Sequence, residues 1–495
     1  MKGLMIQGTS SHVGKSVIVA AILRFLRNKG ILCAPFKPQN MALNSFVTLD
    51  GCEIGRAQAV QAEAAKVIPT KEMNPVLLKP TTDSKAQVVV LGKPWKNLSA
   101  KEYVEAKKEL KKVVKNSFLT LAQIYEVIVV EGAGSPAEIN LRKNDIANMG
   151  FAKMFDIPVF IVGDIDRGGV YASFYGTYAL LTKKEKSLIK GFIINKFRGD
   201  ITLLKDANEF IERKTKKTVL GVIPYFTGIS IPEEDGVALS EKFLKKNDIE
   251  SALKIRIIKL PRISNFTDFA PFFGEDRVDV AYISTVKEAK DAHVIMIPGS
   301  KNTIEDLIFL KKEGFQEFLK EFLAKGGYLI GICGGYQMLG EVIEDPYNIE
   351  SSVRKIEGLG FIPMKTVMEK TKQLRQILFE TLDGSIKDMQ GYEIHMGNSY
   401  ISGNSPLFKV YHDGKNFYDG YVAFNGRVWG SYIHGLFDND EFRHKWLNDV
   451  RRHFGLEEVE SSYSYIEEKE KAYDRLGKIF ENSVDVDKFL KILGV

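Results

Sequence analysis

The chain has 495 residues, of which 44% are hydrophobic and 27% charged, and its formal net charge is +6. This length exceeds what one hydrophobic core supports, so two or more domains are expected. The small positive charge gives no argument for nucleic acid, and no apolar run approaches the roughly 20 residues that span a bilayer. Three dispersed cysteines (Cys33, Cys52 and Cys333) and the lack of a leader before the first predicted strand predict a cytoplasmic protein without disulfides.

The first half alternates short apolar runs with helical patterns, which predicts a parallel sheet covered on both faces. The predicted strands are Gly3–Gln7, Leu32–Pro35, Val127–Val130, Val159–Val162, Phe192–Ile194 and Val219–Ile223. The predicted helices include Lys15–Asn28, Ile54–Lys66, Ala100–Ser117, Val170–Leu181 and Leu203–Lys214. The polar stretch Ser240–Ser251 predicts a linker.

A second series of apolar strands follows the linker, and a Gly-rich, strand-like portion follows that series. The strands are Ile255–Lys259, Val278–Ile283, Val294–Ile297 and Tyr328–Ile332. We therefore predict an α/β protein of two domains, residues 1–240 and 251–440. The charged tail, residues 441–495, has helical spacing and is predicted to pack on the second domain.

A glycine-rich loop links the first strand to the first helix. It runs from Gly8 to Ser16 and has five residues between Gly8 and Gly14, where the common phosphate-binding loop has four. Its backbone N–H groups and the helix N-terminus can cradle phosphates, Lys15 can reach the β- and γ-phosphates, and Ser16 can hold Mg²⁺. The predicted nucleotide-binding residues are Gly8, Thr9, Gly14, Lys15 and Ser16. The alternative is a glycine turn before an amphipathic helix.

Glu131 ends the apolar strand Val127–Val130 and is followed by Gly-Ala-Gly. At the carboxyl end of the sheet it would lie beside the phosphate loop, where a second Mg²⁺ ligand belongs. Asp50 and Glu53 are weaker metal candidates. An ordinary strand-end acid in a turn explains Glu131 equally well.

Cys333 stands between glycines directly after the strand Tyr328–Ile332. Such a strand–turn–helix projects a nucleophile into open space, although a lone cysteine is most often a buried small hydrophobe. A thiol nucleophile needs a base within hydrogen-bond reach. His434, before Gly435, is the main candidate and His395 the competitor; a structural histidine is the alternative for either.

The loop with its extra residue, together with Glu-Gly-Ala-Gly at Glu131–Gly134, resembles the dethiobiotin synthetase-type ATPases. That resemblance implies a P-loop NTPase-like fold and formation of an acyl phosphate from a carboxylate. It also places Asn195, in Ile193-Ile194-Asn195-Lys196, at the nucleotide base.

The stretches Gly331–Gly340 (Gly-Ile-Cys-Gly-Gly-Tyr-Gln-Met-Leu-Gly) and Tyr432–Phe437 (Tyr-Ile-His-Gly-Leu-Phe) resemble class I glutamine amidotransferases. The resemblance implies a flavodoxin-like second domain, Cys333 as nucleophile and His434 as its base. It also implies oxyanion N–H groups at Gly299, Ser300 and Gly334. Most members have a glutamate two residues after the histidine, but here that position is Leu436. Only a Cys–His dyad can therefore be assigned.

Several stretches resemble the cobyric acid synthases, among them Phe36–Met41, Gly55–Ala59, Met73–Pro80, Glu131–Leu141, Asp164–Gly169 and Asn195–Asp200. That family uses ATP, Mg²⁺ and glutamine to amidate the b, d, e and g carboxylates of adenosylcobyrinic acid a,c-diamide, a corrinoid. Cobyrinic acid a,c-diamide synthases share the domain order, but they carry a Gly-Pro-Asp-Tyr-type stretch in place of Lys37–Met41. The predicted corrinoid-binding residues are Lys37, Gln39, Asn40, Arg56, Lys79, Arg142, Arg167 and Arg198.

The basic members of that set lie at or near predicted strand ends, which suits a substrate with several carboxylates. Each one taken alone is an ordinary surface charge. Two other functions stay open: amidation of a different acidic acceptor, and a nucleotide-switch regulator with an inactive amidotransferase domain, which the missing glutamate favours.

Overall fold

The structure is a computed structural model that describes residues 2–80, 85–229, 231 and 252–495. It divides into two compact units. The first comprises Met1–Ala42, Glu53–Pro232 and Lys469–Val495, and the second comprises Leu43–Cys52 and Glu233–Glu468. The predicted linker, Ser240–Ser251, lies outside the described residues, so the boundaries at residues 240 and 251 stay predictions.

The first half of the chain alternates strands and helices as its sequence pattern predicts. The strands are β1 (Lys2–Gly8), β2 (Cys33–Phe36), β3 (Asn40–Met41), β4 (Ser45–Val47), β5 (Glu53–Gly55), β6 (Val76–Pro80), β7 (Lys85–Val90), β8 (Lys93–Ser99), β9 (Val127–Glu131), β10 (Val159–Asp164), β11 (Ile189–Phe197) and β12 (Thr218–Pro224). The helices are α1 (Lys15–Asn28), α2 (Arg56–Ala64), α3 (Ala100–Ala122), α4 (Met149–Phe155), α5 (Val170–Ala179), α6 (Lys183–Leu188) and α7 (Lys205–Thr215).

A six-stranded parallel sheet forms the centre of the first unit, in the order β12-β11-β10-β1-β9-β2. Its central strands are buried along most of their length because helices cover both faces. The carboxyl ends of β1 and β9 lie side by side, with Ile6 opposite Glu131. The register therefore brings the phosphate loop and Glu131 to one edge. The sequence did not predict the separate small sheet β3-β6-β7-β8.

The second unit contains a second α/β arrangement. Its strands are β13 (Leu253–Ile258), β14 (Ile263–Ser264), β15 (Val278–Ile283), β16 (Val294–Ile297), β17 (Gly299–Ser300), β18 (Tyr328–Ile332), β19 (Val342–Glu344), β20 (Lys355–Glu357), β21 (Met364–Thr381), β22 (Met389–Ile401), β23 (Phe408–His412), β24 (Lys415–Asp419), β25 (Tyr421–Ala423), β26 (Val428–Ser431) and β27 (Ile433–His434). Its helices are α8 (Thr303–Lys312), α9 (Phe315–Ala324), α10 (Gly334–Leu339) and α11 (Asp440–His453).

Two sheets organise this unit. The first, in the order β15-β13-β16-β18-β26-β25, is parallel except for the edge strand β25. The second is mainly antiparallel and is built on the long pair β21 and β22, to which β27 adds. Cys333 follows β18 of the first sheet and His434 ends β27 of the second. The two predicted catalytic residues thus arrive from different sheets.

Two helices complete the chain, α12 (Tyr465–Ser483) and α13 (Val486–Leu493). The prediction that the whole tail packs on the second domain is wrong for Lys469–Val495, which belongs to the first unit. The reason is an apolar stripe at helical spacing: Leu476 and Phe480 pack in one cluster with Phe25 of α1. The buried guanidinium of Arg24 adds an ion pair with Glu470 at 3.0 Å.

Within the described residues, no helix combines the length and the apolar character needed to cross a membrane.

Candidate functional site

The turn at Cys333 is strained and tightly packed. Cys333 has φ 52° and ψ −106°, a conformation that non-glycine residues rarely adopt and that occurs mainly at functional sites. A β-carbon on Gly331 would lie 2.7 Å from the backbone of Gly335, and one on Gly335 would lie 2.0 Å from the carbonyl oxygen of Ile297. Both glycines are therefore required for β18 to turn directly into α10 with Cys333 at the junction.

His434 has an acidic partner that its sequence neighbourhood does not reveal. Its Nδ1 lies 2.6 Å from Oδ2 of Asp268, whose Oδ1 accepts a hydrogen bond from the backbone N–H of Gly435 at 3.1 Å. Asp268 and His434 are both buried. The assignment of a dyad alone is therefore corrected: Asp268 orients His434, although it lies 166 residues earlier in the chain.

The electrostatics of His434 favour its charged form. Burial opposes protonation, but the carboxylate of Asp268 and the sulfur of Cys333 outweigh it and raise the pKa of His434 from 6.5 to about 10. Nε2 makes no hydrogen bond of ordinary geometry within the described residues, so this nitrogen remains for the thiol.

The predicted oxyanion residues lie together. Gly299 and Ser300 form β17, and a β-carbon on Gly334 would lie 2.8 Å from the backbone nitrogen of Ser300. A β-carbon on Gly299 would lie 3.4 Å from the His434 ring. Only glycine at residue 334 permits this approach, which places backbone N–H groups where charge on a carbonyl oxygen could be stabilised.

His395, the competing base, is held by other partners. Its ring stacks on Tyr432 with centroids 3.8 Å apart, and its Nδ1 lies 3.2 Å from the carbonyl oxygen of Gly397. Its Nε2 lies 3.8 Å from the carboxylate of Glu393. These contacts give His395 a structural role beside the cysteine turn.

The phosphate loop in the first unit folds back on itself. Lys15 Nζ donates a hydrogen bond to the carbonyl oxygen of Ser10 at 3.0 Å. The loop is also tightly packed at its start, because a β-carbon on Gly8 would lie 2.7 Å from the side chain of Val13. Gly14 has φ 94°, and a β-carbon there would lie 2.2 Å from Nδ2 of Asn195. Thr9 is fixed by its backbone N–H, which donates to Val162 in β10 at 2.9 Å.

Asn195 binds the loop itself. Its Nδ2 donates to the carbonyl oxygen of Val13 at 2.8 Å. Asn195 lies two residues before the end of β11 and pairs with Asp164 of β10, the strand that binds Thr9 of the loop. Its predicted contact with the base stays a prediction.

Glu131 is the centre of a buried polar cluster beside the loop. Ser16 Oγ and Gln61 Nε2 donate to its two oxygens at 2.8 and 2.6 Å, and Lys37 Nζ lies 3.0 Å away. Burial opposes ionisation, but Lys37, Gln61, Lys15 and Ser16 outweigh it and keep the pKa of Glu131 below its ordinary value. The sequence did not reveal Gln61 as a member of this cluster.

The donor set at this point suits Mg²⁺. Ser16 Oγ and the Glu131 carboxylate are hard oxygen ligands, and Mg²⁺ commonly uses one or two protein ligands with substrate phosphates. No group of three or more His, Cys, Asp or Glu side chains forms a metal cluster in the described part of the chain. Asp50 belongs to the second unit, where Thr48 Oγ1 donates to it at 2.5 Å, and Glu53 pairs with Lys79.

The eight predicted corrinoid-contacting residues all belong to the first unit. At least five of the basic ones have a carboxylate partner within 4 Å, namely Lys37 with Glu131, Lys79 with Glu53, Arg142 with Glu185, Arg167 with Asp164 and Arg198 with Asp166. Arg56 is buried, whereas Arg167 is largely exposed and lies 3.9 Å from Asp164. Gln39 accepts a hydrogen bond from the hydroxyl group of Tyr103, and Asn40 donates one to Gln58. A carboxylate substrate would therefore compete with carboxylates already in place.

Two family models match the chain, one for each half. A CobQ/CobB/MinD/ParA nucleotide binding domain matches residues 4–239, and a CobB/CobQ-like glutamine amidotransferase domain matches residues 254–442. The fold and the Asp–His–Cys geometry agree with these matches. The chain is thus a glutamine amidotransferase joined to a nucleotide-binding domain, and the predicted fold class is confirmed.

Proteins that are similar to this chain over its full length identify a particular family within this class. A cobyric acid synthase of Caldanaerobacter subterraneus subsp. tengcongensis is 47% identical over 502 aligned positions, which cover 99% of this chain and 98% of the relative. A cobyric acid synthase of Clostridium botulinum is 46% identical and covers 100% of both chains. The chain belongs to the cobyric acid synthase family, as its motifs predicted. A solved glutamine amidotransferase aligns at 12% identity over 40% of this chain and 97% of its own, with a TM-score of 0.28, too low to carry an argument.

Proposed function

We propose that the chain uses ATP and glutamine to amidate the b, d, e and g carboxylates of adenosylcobyrinic acid a,c-diamide, a step of cobalamin biosynthesis. The main support for glutamine hydrolysis is the 2.6 Å contact between Asp268 Oδ2 and His434 Nδ1, next to Cys333 with its strained backbone. The choice of acceptor rests on family membership. Asp268 also removes the main support for an inactive regulator, because His434 has the acidic partner that the sequence lacked at residue 436.

The proposed glutaminase reaction takes place on Cys333. Its thiolate attacks the side-chain carbonyl of glutamine, and the oxyanion that forms lies between the N–H groups near Gly299–Ser300 and at Gly334. Protonated His434 gives its proton to the leaving nitrogen and ammonia departs. His434 then accepts a proton from water, which releases glutamate from the thioester. Asp268 keeps the imidazole in the required orientation throughout.

The proposed synthetase reaction takes place at the phosphate loop. A carboxylate oxygen of the corrinoid attacks the γ-phosphorus of ATP and ADP leaves. Ammonia then attacks the acyl carbon, phosphate leaves and the nitrogen loses a proton to give the amide. Gly8, Thr9, Gly14 and Lys15 hold the phosphates, and catalysis depends on positioning and charge neutralisation. Ser16 and Glu131 would hold Mg²⁺, which when bound neutralises phosphate charge.

We propose that Lys37 contacts both substrates. It pairs with Glu131 at 3.0 Å, and an incoming carboxylate or phosphate could take over that ammonium group. Gln39, Asn40, Arg56, Lys79, Arg142, Arg167 and Arg198 remain the proposed corrinoid contacts, and Asn195 the proposed base contact. Several of these must exchange a carboxylate of the protein for one of the substrate.

The purified protein, incubated with Mg·ATP, glutamine and adenosylcobyrinic acid a,c-diamide, tests this function by mass spectrometry of the corrinoid. Four new amides are expected. Cobyrinic acid without the a and c amides serves as the comparison acceptor. Amidation of that acid at a and c, with no reaction of the a,c-diamide, would identify the chain as a cobyrinic acid a,c-diamide synthase. No reaction with either corrinoid would contradict the proposed acceptor class.

A further inference from the structure

A ten-residue segment of the N-terminal half belongs to the amidotransferase unit. Leu43–Cys52 is part of the second unit, whereas Met1–Ala42 and Glu53–Pro232 on either side of it belong to the first. The segment closes on itself, because the N–H of Thr48 donates to the carbonyl of Cys52 at 2.8 Å and the N–H of Cys52 donates to Thr48 Oγ1 at 3.0 Å. Ser45 and Val47 within it are completely buried.

One set of contacts runs from this segment to the acid that orients His434. The N–H of Ser45 donates to Oδ1 of Asn265 at 3.1 Å. Asn265 is in the left-handed conformation, with φ 51°, and its carbonyl accepts from the N–H of Asp268 at 3.1 Å. Asp268 in turn lies 2.6 Å from Nδ1 of His434. The backbone of Ser45 thus fixes the start of the 3₁₀ helix Phe266–Gly274, which carries Asp268.

A second set of contacts reaches the imidazole ring itself. Tyr392 donates its hydroxyl hydrogen to the carbonyl of Ser45 at 3.4 Å and accepts from Nδ2 of Asn265 at 3.3 Å. Its ring lies over that of His434, with centroids 5.2 Å apart and planes inclined by 21°. Val47 packs in one cluster with Tyr392 and Ile394.

We propose that Leu43–Cys52 is a positioning element for the glutaminase reaction, with Tyr392 and Asn265 as the positioning residues that transmit its placement to His434. Two residues that form ion pairs in the first unit flank the segment in the chain. Lys37, a few residues before it, pairs with Glu131 beside the phosphate loop, and Glu53, directly after it, pairs with Lys79. Ligands that displace those pairs would shift the ends of the segment and, through it, the alignment of His434 with Cys333. The nucleotide-binding half of the chain controls glutamine hydrolysis by this route. The proposal rests on the proposed function.

Variants of the positioning residues test this route. Tyr392→Phe removes the hydroxyl and keeps the ring over His434, and Asn265→Gly removes the amide and keeps the left-handed backbone accessible. Asn265→Asp retains an acceptor for the N–H of Ser45. Tyr411→Phe is the matched control, since its hydroxyl donates to Glu380 across the strand pair β21–β23 and not to Ser45, Asn265 or His434.

The measurement is the kcat and KM of glutamine hydrolysis by the full chain, with and without Mg·ATP and adenosylcobyrinic acid a,c-diamide. We expect the ligands to raise kcat about 5-fold or more in the unaltered enzyme and in Tyr411→Phe, which corresponds to the lower end of coupling free energies between two sites. In Tyr392→Phe and Asn265→Gly the rise should fall below about 2-fold with an unchanged KM for glutamine. Asn265→Asp should show most of the ligand-dependent rise in kcat that Asn265→Gly loses.

Equal stimulation of Tyr392→Phe, Asn265→Gly and the unaltered enzyme would overturn the proposal, and so would an unaltered enzyme whose hydrolysis ignores both ligands. Ammonia-dependent amidation by each variant reports folding and the synthetase reaction. The unaltered enzyme could form no corrinoid amide from ammonia while Mg·ATP alone still changes its rate of glutamine hydrolysis. That result would contradict the proposed corrinoid acceptor and not the positioning role. In that case loss of the response in Tyr392→Phe and Asn265→Gly supports the positioning role.

Discussion

The carboxylate of Asp268 determines which nitrogen of His434 faces Cys333. Asp268→Asn keeps the shape but can donate to Nδ1, which favours the wrong tautomer, and it removes the charge that stabilises the imidazolium. We expect kcat of glutamine hydrolysis to fall roughly 10²- to 10⁴-fold. Asp449→Asn, which alters a surface pair with Arg452, is the control and should keep full activity. A loss of less than about threefold in Asp268→Asn would contradict the orienting role.

The raised pKa of His434 has a consequence for stability. Because its folded pKa, about 10, exceeds the ordinary value of 6.5, protonation of His434 stabilises the fold fully below pH 6.5, and this contribution is lost as the pH rises through 10. Denaturant unfolding of the unaltered enzyme and of His434→Gln measures the effect. The stability difference between them should shrink from pH 6.5 to pH 10. A difference that stays constant over this range would contradict a protonated His434.

Some of the residue-scale geometry could be predicted from the sequence and some could not. Cys333 and Gly334 could be predicted because a strand running into glycines imposes a tight turn. Asp268 could not, because its partner is 166 residues away and no local spacing connects them. The available signal was a carboxylate within the aromatic run Phe266–Phe273, where only a strong partner justifies its burial.

At the scale of elements, the β17 loop and the N-terminus of α10 must approach closely to form the oxyanion site. Gly334→Ala would place a methyl group 2.8 Å from the backbone nitrogen of Ser300 and force the two apart. We expect kcat of glutamine hydrolysis to fall about 10²- to 10³-fold, the effect of losing one oxyanion donor. Gly176→Ala in α5 meets nothing within 4 Å and serves as the control. Activity retained in Gly334→Ala would exclude this approach as the oxyanion site.

The elements of the two parallel sheets could be predicted because buried strands are continuous apolar runs. The bounds Lys15–Asn28, Val278–Ile283 and Tyr328–Ile332 agree with the structure. The long pair β21–β22 was expected only as a strand-like portion, since its residues alternate irregularly between buried and partly exposed. The partner of the tail could not be predicted, because an amphipathic pattern shows which face is buried but not against what.

At the scale of the whole molecule, the tail is an integral part of the first unit. Phe480 is completely buried and packs on Phe25 and Phe489. Phe480→Ala should lower the free energy of unfolding of that unit by about 3–5 kcal/mol, measured by urea denaturation. Lys478→Ala, at an exposed position on the same helix and in the same unit, should change this free energy by less than about 0.5 kcal/mol. Equal effects of the two substitutions would argue against the packing of the tail on the first unit.

The proposed function requires one chain to release ammonia at Cys333 and to use it at the phosphate loop. The most direct test is the rate of corrinoid amidation with glutamine or with a high concentration of ammonium salt, in the unaltered enzyme, Cys333→Ala and Lys15→Ala. Cys333→Ala should lose the glutamine-dependent rate and keep the ammonia-dependent rate, whereas Lys15→Ala should lose both. Loss of both rates in Cys333→Ala, or unchanged amidation in Lys15→Ala, would contradict the assignment of ammonia release to Cys333 and of amide formation to the phosphate loop.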